Sequence, residues 1–197
     1  MFGDLLINYK RKVGINLVKI YGFCGVMGSG KGYSCQQLVD KEGFIQIDFA
    51  DCLRDMVWKM LDWQPANAEE YDLFKKGQFF VPRYGKINGR LLLQRIGATM
   101  REIDADFWVK QHQAKIERAI SMGYNNICIS DIRYKNEIQS LLDNSWKAEV
   151  KITFCDYHSE RYDATNTHES EKMAQEMLAL GFKDGDRITK QDIIGRF

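Results

Sequence analysis

Proline is almost absent from this 197-residue chain, and its two copies, Pro65 and Pro82, fall in one stretch, 62–89. No proline-rich linker divides the rest, and no repeat or low-complexity segment interrupts it. Apolar runs are short as well, and none approaches the ~18 residues of a spanning helix. The opening stretch, 1–16, has a brief apolar segment followed by Lys10, Arg11 and Lys12. That is no secretory signal, and it reads as an N-terminal extension. Net charge is also scarce. Lys and Arg number 28 against 27 Asp and Glu, a balance of +1, so nothing draws the whole protein to nucleic acid or to a membrane. Histidines number three, and no two of the five cysteines form C-x-x-C. Cys24, Cys35, Cys52, Cys128 and Cys155 lie in or beside apolar runs. They read as reduced, mostly buried thiols of a cytoplasmic protein. A zinc site using His158 or His168 lacks a paired-cysteine frame.

What the chain does have is one domain's length and 45% hydrophobic residues, enough for a buried core. Its most informative stretch is Val18-Lys-Ile-Tyr-Gly-Phe-Cys-Gly-Val-Met-Gly-Ser-Gly-Lys-Gly-Tyr33. An apolar strand runs into a glycine-rich loop that opens a helix. Gly25, Gly30 and Lys31 fit G-x-x-x-x-G-K, the phosphate-binding loop. Glycines let the backbone turn its N–H groups onto phosphate oxygens. The helix N-terminus adds a positive dipole, and Lys31 adds a point charge. The general motif ends in Ser or Thr, whereas this chain continues Gly32-Tyr33-Ser34.

Beyond the loop, the pattern predicts helices over 33–41, 50–61, 90–100, 105–122, 135–143 and 168–180. Strands are expected over 44–49, 126–130 and 148–154, and the tail, 182–197, holds a short strand and a helical turn. Ala50, Leu53, Met56, Val57, Met60 and Leu61 form one apolar face of 50–61. Leu91, Leu92, Leu93 and Ile96 are expected inside the next helix. Val109, His112, Ile116, Ala119 and Ile120 form the buried face of the long one, with His112 as a packed histidine. Strands alternating with helices predict an α/β fold, a mostly parallel sheet with helices on both faces. Ligands bind beyond the carboxyl ends of such strands, which gathers the Gly25 loop, the Asp48 turn and the Asp131 turn. The stretch 62–89 is too long for a plain connection and reads as an inserted arm, helical over 67–76. The polar stretch 155–167, with Arg161 able to close over ATP phosphates, reads as a lid loop.

Two further motifs carry chemistry. Asp131-Ile-Arg133 follows a buried strand. A carboxylate there can hold magnesium directly or through water, and Arg133 can bind a phosphate or steady a moving phosphoryl group. A capping Asp beside a surface salt bridge has the same pattern. In Gly89-Arg-Leu-Leu-Leu-Gln-Arg-Ile-Gly97, positions 90, 94 and 97 share a helix face. Arg90 suits an acceptor phosphate and Gln94 a base edge, and a solvated stripe has the same pattern. Arg101 and Trp108 follow closely. Trp108 can stack on a base or fill the core.

Taken together, the loop 25–31, Phe49-Ala-Asp-Cys-Leu-Arg54, Arg90–Gly97, Phe107-Trp108, Ser130-Asp-Ile-Arg-Tyr-Lys-Asn-Glu137 and His168-Glu-Ser-Glu171 resemble the phage-type deoxynucleoside monophosphate kinases. The resemblance implies a P-loop kinase fold with a substrate arm and a lid. It implies transfer of the γ-phosphoryl group of ATP, with Mg2+, to a deoxynucleoside 5'-monophosphate. Gly28, Ser29, Gly30, Lys31 and Gly32 would hold ATP phosphates beside Gly25 and Tyr33. Arg90, Gly97, Trp108, Asp131, Arg133 and Asn136 would line the acceptor site. The chain departs from the family at Gly32-Tyr33, where Thr is usual, at Cys52 in place of Pro, and at Gly97-Ala98, where Thr99 comes one place late. The catalytic assignment is Lys31, Arg133 and Asp131. Gln94, Ala98 and Arg101 join the acceptor set. The expected partner is a small deoxynucleotide, with no nucleic acid or membrane, and a homodimer is left open. Two rivals share the loop, a non-catalytic nucleotide-binding module and a dephospho-coenzyme A kinase-like enzyme.

Overall fold

A computed structural model describes residues 17–143, 148–156 and 169–195. The N-terminal extension, Arg161 with nearly all of the expected lid, and His158 and His168 lie outside the described residues. The chain divides into two compact units, one from Met1–Asp48 and Gln113–Phe197, the other from Phe49–His112. The arm expected over 62–89 is thus part of a larger inserted unit.

The first unit is an α/β structure on a five-stranded sheet of order β2-β5-β1-β6-β7. Its strands are β1 (Lys19–Cys24), β2 (Ile45–Gln46), β5 (Asn126–Ile132), β6 (Glu149–Phe154) and β7 (Arg187–Ile188). β1 lies between β5 and β6 and is parallel to both, β2 is parallel to β5, and β7 alone runs antiparallel. Ile127, Cys128 and Ile129 are fully buried on consecutive positions, so both faces of the sheet are covered there. Burying such isoleucines stabilises by roughly 1.5–3 kcal/mol each. Helix α1 (Lys31–Glu42) leaves the glycine loop, and Gly43, at φ 68°, ends it by donating its N–H to the Leu38 carbonyl. Helices α6 (Lys135–Leu142), α7 (Glu169–Ala179) and α8 (Lys190–Gly195) complete this unit.

β5 runs two residues further than its apolar pattern shows. Gly22 pairs with Ile129 but Cys24 pairs with Ile132, so β5 carries one extra residue. That bulge sits at Ser130-Asp131 and places Asp131 inside the strand, where the sequence puts it just beyond the end.

The inserted unit is helical and aromatic. It holds α2 (Phe49–Leu61), α3 (Ala68–Lys75), α4 (Gly89–Ile103) and the start of α5 (Phe107–Ser121). Asn67 caps α3 by accepting from Glu70 N–H at 2.9 Å, and Asn88 caps α4 by accepting from Leu91 N–H at 3.0 Å. Val57, Leu61, Phe74 and Val81 form its core, with Trp58, Trp63, Tyr71 and Phe79 packed on them. The Trp58 ring meets Trp63, Tyr71 and Phe74 edge-on, with centroids 5.8, 6.0 and 5.2 Å away.

Two expected core positions face outward. Met60 is 58% exposed because the face centres on Leu53, Val57 and Leu61, which leaves residue 60 on its flank. Leu91, 43% exposed, sits in the first turn of α4 beside the Asn88 cap. A hairpin, β3 (Phe80–Val81) with β4 (Gly85–Lys86), also lies in 62–89. Its turn has Pro82 second and Arg83 third at φ 68°, closed by Tyr84 N–H to the Val81 carbonyl at 3.1 Å.

Candidate functional site

The site grows from the end of β1. Gly25, at φ 138°, lies so close to the β6 end that a Cβ there would sit 2.1 Å from the Cys155 carbonyl oxygen. Only glycine fits that approach. The loop turns back with Ser29 N–H donating to the Val26 carbonyl at 3.2 Å, and Gly30, at φ 86°, caps α1. The N–H groups of the first turn of α1 are the ones a helix leaves without intrahelical partners, so they are the donors an anion would take.

Lys31 is only 9% exposed. Its Nζ donates to the Gly25 carbonyl at 2.7 Å, the Val26 carbonyl at 2.6 Å and Ser29 Oγ at 3.4 Å. Burial and the neighbouring Arg133 guanidinium lower its pKa from 10.5 to about 8, while Glu171 pulls the other way. The two cations therefore share one electrostatic neighbourhood. Burial raises the Cys24 thiol to about 12 and the Cys155 thiol to about 11, so both stay neutral around the lysine. All five cysteines are free thiols, four of them buried.

Arg133 is gripped twice. Its backbone N–H donates to Glu137 Oε2 at 2.7 Å, and its Nη1 donates to Glu171 Oε1 at 3.0 Å. The other oxygen of Glu171 accepts Met27 N–H from the loop at 2.8 Å. Glu137 and Glu171 are 2% and 5% exposed. The sequence reading named neither as a site residue, although both stand inside the quoted runs 130–137 and 168–171. Asp48 is another residue without an assigned site role. Where β2 ends, its carboxylate takes the next donor of the ladder, Ser130 N–H at 2.7 Å, and it also accepts from Gln46 Nε2 at 2.7 Å. Its partner lies 82 residues away, so no local signal marks it.

The remaining assigned residues fall as follows. Gly28 and Gly32 are exposed, and a Cβ on Gly32 would meet nothing within 4 Å. Tyr33 is 70% exposed, and Ser34 is half-buried beside Cys155, whose thiol pKa it lowers against the larger effect of burial. Asp131 and Asn136 are half-buried. In the inserted unit Arg90 and Ala98 are exposed and Gln94 is half-buried. Gly97, Arg101 and Trp108 form one knot. The Gly97 carbonyl accepts Trp108 Nε1–H at 3.0 Å and Arg101 Nη1–H at 3.1 Å. Trp108 is 3% exposed, so of its two readings the structure takes the core one and its ring is not a base-stacking surface. His112 is buried and stacked on Phe49, as a packed helix histidine should be.

No family model matches the chain. A 119-residue stretch is 28% identical to a curated protein of Ictalurid herpesvirus 1 (strain Auburn) named "Uncharacterized protein ORF77". The match covers 60% of this chain and spans less than half, 44%, of that viral protein. The chain is similar to that protein over this stretch, and the printed name carries no activity with it.

Proposed function

We propose that this protein is a P-loop nucleotide kinase that moves the γ-phosphoryl group of ATP to a deoxynucleoside 5'-monophosphate. The observation that carries the reading is a buried lysine folded into a glycine loop at the end of a central parallel strand, with an arginine close enough to lower its pKa. Two partly desolvated cations beside a helix N-terminus suit a polyphosphate. Lys31 and the amides of the first turn of α1 bind and orient the donor phosphates, in a loop shaped by Gly28, Ser29 and Gly30. Arg133 neutralises charge as the phosphoryl group passes between two phosphates. The acceptor phosphate is already ionised at neutral pH, so these residues catalyse by positioning and electrostatics and need no strong base. In the inserted unit, Arg90 is the exposed cation proposed for the acceptor phosphate and Gln94 the group for its base.

Magnesium, when bound with ATP, shields the charge of the donor phosphates. Among the described residues no group of three or more His, Cys, Asp or Glu could hold a metal ion. Asp131 is the carboxylate proposed to meet it, directly or through water.

One observation favours a second reading. Gly32 stands where the motif carries its Ser or Thr, and Tyr33 beside it is 70% exposed, so the usual loop hydroxyl has no evident replacement. A non-catalytic nucleotide-binding module would show the same. An ADP-release assay separates the two, with ATP and Mg2+ offered each of dTMP, dGMP, dCMP, dAMP and the matching ribonucleotides. ADP that forms only with a particular deoxynucleotide supports the kinase. ATP binding without ADP from any acceptor overturns it in favour of the module.

A further inference from the structure

The Glu171 carboxylate joins two parts of the phosphate site that the chain supplies from far apart. One oxygen holds Met27 N–H at the crown of the glycine loop, and the other holds the Arg133 guanidinium, 38 residues away in sequence. It does this while 5% exposed, and Arg133 keeps 40% of its side chain exposed. A buried carboxylate is stable only when charge and hydrogen bonds compensate it, so this placement is held by the two partners together. The arrangement also answers a physical difficulty of the site. Lys31 and Arg133 repel each other across a poorly solvated region, and an empty site needs an anion to keep both there.

A carboxylate in such a place could brace the site, or it could occupy the place of a phosphate and have to leave. The loop geometry favours the brace. The amides that an anion takes are those of the first turn of α1, which begins at Lys31. Met27 lies three residues ahead of the Gly30 cap, so Glu171 leaves those amides open.

We propose that Glu171 is a positioning residue of the phosphate site, one carboxylate that fixes the loop crown and aims Arg133 at the phosphate. This rests on the kinase reading, because it gives Arg133 a transferring phosphoryl group to meet. Glu171 touches no reacting atom and acts through Arg133. A long side chain with several rotors is useful in catalysis only when its head is held, and the bond from Arg133 Nη1 to Glu171 Oε1 holds this one.

The test is a double-mutant cycle in the full chain, comparing wild type with Glu171→Gln, Arg133→Ala and the double variant, and adding Glu171→Asp. Thermal midpoints confirm that each variant folds, and Glu171→Asp keeps the test alive where Glu171→Gln does not. Glu171→Gln should lower kcat about tenfold to thirtyfold with ATP affinity within about threefold of wild type. The double variant should be no slower than Arg133→Ala alone, and Glu171→Asp should recover part of the loss. Independent, multiplying losses at the two positions overturn the proposal. So does a Glu171→Gln protein that turns over normally and binds ATP tenfold more tightly, since the carboxylate would then be a plug. Should wild type transfer to no acceptor, the kinase reading fails by itself. The same cycle is then read in the affinity for a fluorescent ATP analogue. Coupling of threefold or more between positions 133 and 171 keeps the brace, and additivity ends it.

Discussion

The two units solve burial in opposite ways. Among the described residues, the buried polar or charged side chains are Ser29, Lys31, Asp48, His112, Glu137 and Glu171, and all but His112 belong to the sheet unit. Each of those five is held by named hydrogen bonds at the carboxyl ends of β1, β2 and β5 or just beyond them. The inserted unit buries rings instead, Phe74 fully and Trp58, Trp63, Tyr71 and Phe79 in part, and leaves Arg90 and Arg95 exposed. Desolvated charge is costly unless it is paired, so it collects where a function needs it, whereas aromatic packing supports a shape. Under the proposed reading the phosphoryl chemistry falls to the sheet unit, and the insert presents Arg90 and Gln94 for the acceptor on an aromatic frame.

The largest effect that would sharpen this contrast is at Lys31. Lys31→Ala should lower turnover about a thousandfold, the scale of losing a charge-stabilising donor in a water-poor site. The fold should survive, because Lys31 lies at the loop end of α1 and the sheet core at Ile127, Cys128 and Ile129 is left intact. A Lys31→Ala protein with normal turnover breaks the kinase reading. The matching change in the insert is Phe74→Ala. Truncating a ring this buried should cost about 3–5 kcal/mol of stability, read by denaturant unfolding. ATP affinity, measured well below the unfolding transition, should stay within about threefold. An ATP affinity that falls together with stability would erase the division of roles.

Much of this was legible in the residues themselves, for identifiable reasons. The loop and the Gly43 stop are local signals, and each depends on a residue type that the backbone conformation demands. The strand at 126–130 showed in its apolar run, but its extension to Ile132 did not, because a bulge depends on the partner strand. The hairpin at 80–86 was hidden by its two-residue strands, too short for alternation to appear. The Asp48 turn was legible as part of the crevice, but the partner of its carboxylate, 82 residues away, was not, and Glu171 became visible as a site residue only in three dimensions, since Met27 lies 144 residues away. Trp108 had two readings that the sequence could not separate, and its bond to the Gly97 carbonyl decided between them.

A smaller effect, about tenfold per pH unit, also belongs to the sheet unit. Lys31 titrates near 8 in the folded protein and near 10.5 when exposed. Between those values the unfolded chain keeps a proton that the folded chain has released, so the Lys31 contribution to stability rises with pH across that window. Binding runs the other way, because phosphate needs the charged amine. The kcat/KM for ATP, which reports the free enzyme, should therefore fall above about pH 8 while the thermal midpoint of the ligand-free protein gains from the same group. Lys31→Met removes both trends. A kcat/KM that stays flat to pH 10 would mean that Lys31 is not the titrating cation, and the charge-paired picture of this unit would lose its centre.

The smallest effect tests the position where the loop departs from the general motif. Gly32 is the second residue of α1, its φ lies outside the left-handed region, and a Cβ there meets nothing within 4 Å. Serine fits without strain, so Gly32→Ser should gain roughly 0.5 kcal/mol from helix propensity alone, a rise of about 1–2 °C in thermal midpoint. That gain is structural and would appear in either kind of protein. The second readout is the Mg2+ concentration that half-saturates ATP binding. In a loop that holds a magnesium nucleotide, the new hydroxyl stands next to Lys31, where the motif carries its Ser or Thr, and the requirement should drop about threefold. A stabilised variant with an unchanged magnesium requirement would show that the ion is held without a loop hydroxyl. Asp131, the carboxylate carried within β5, would then be the group to change next.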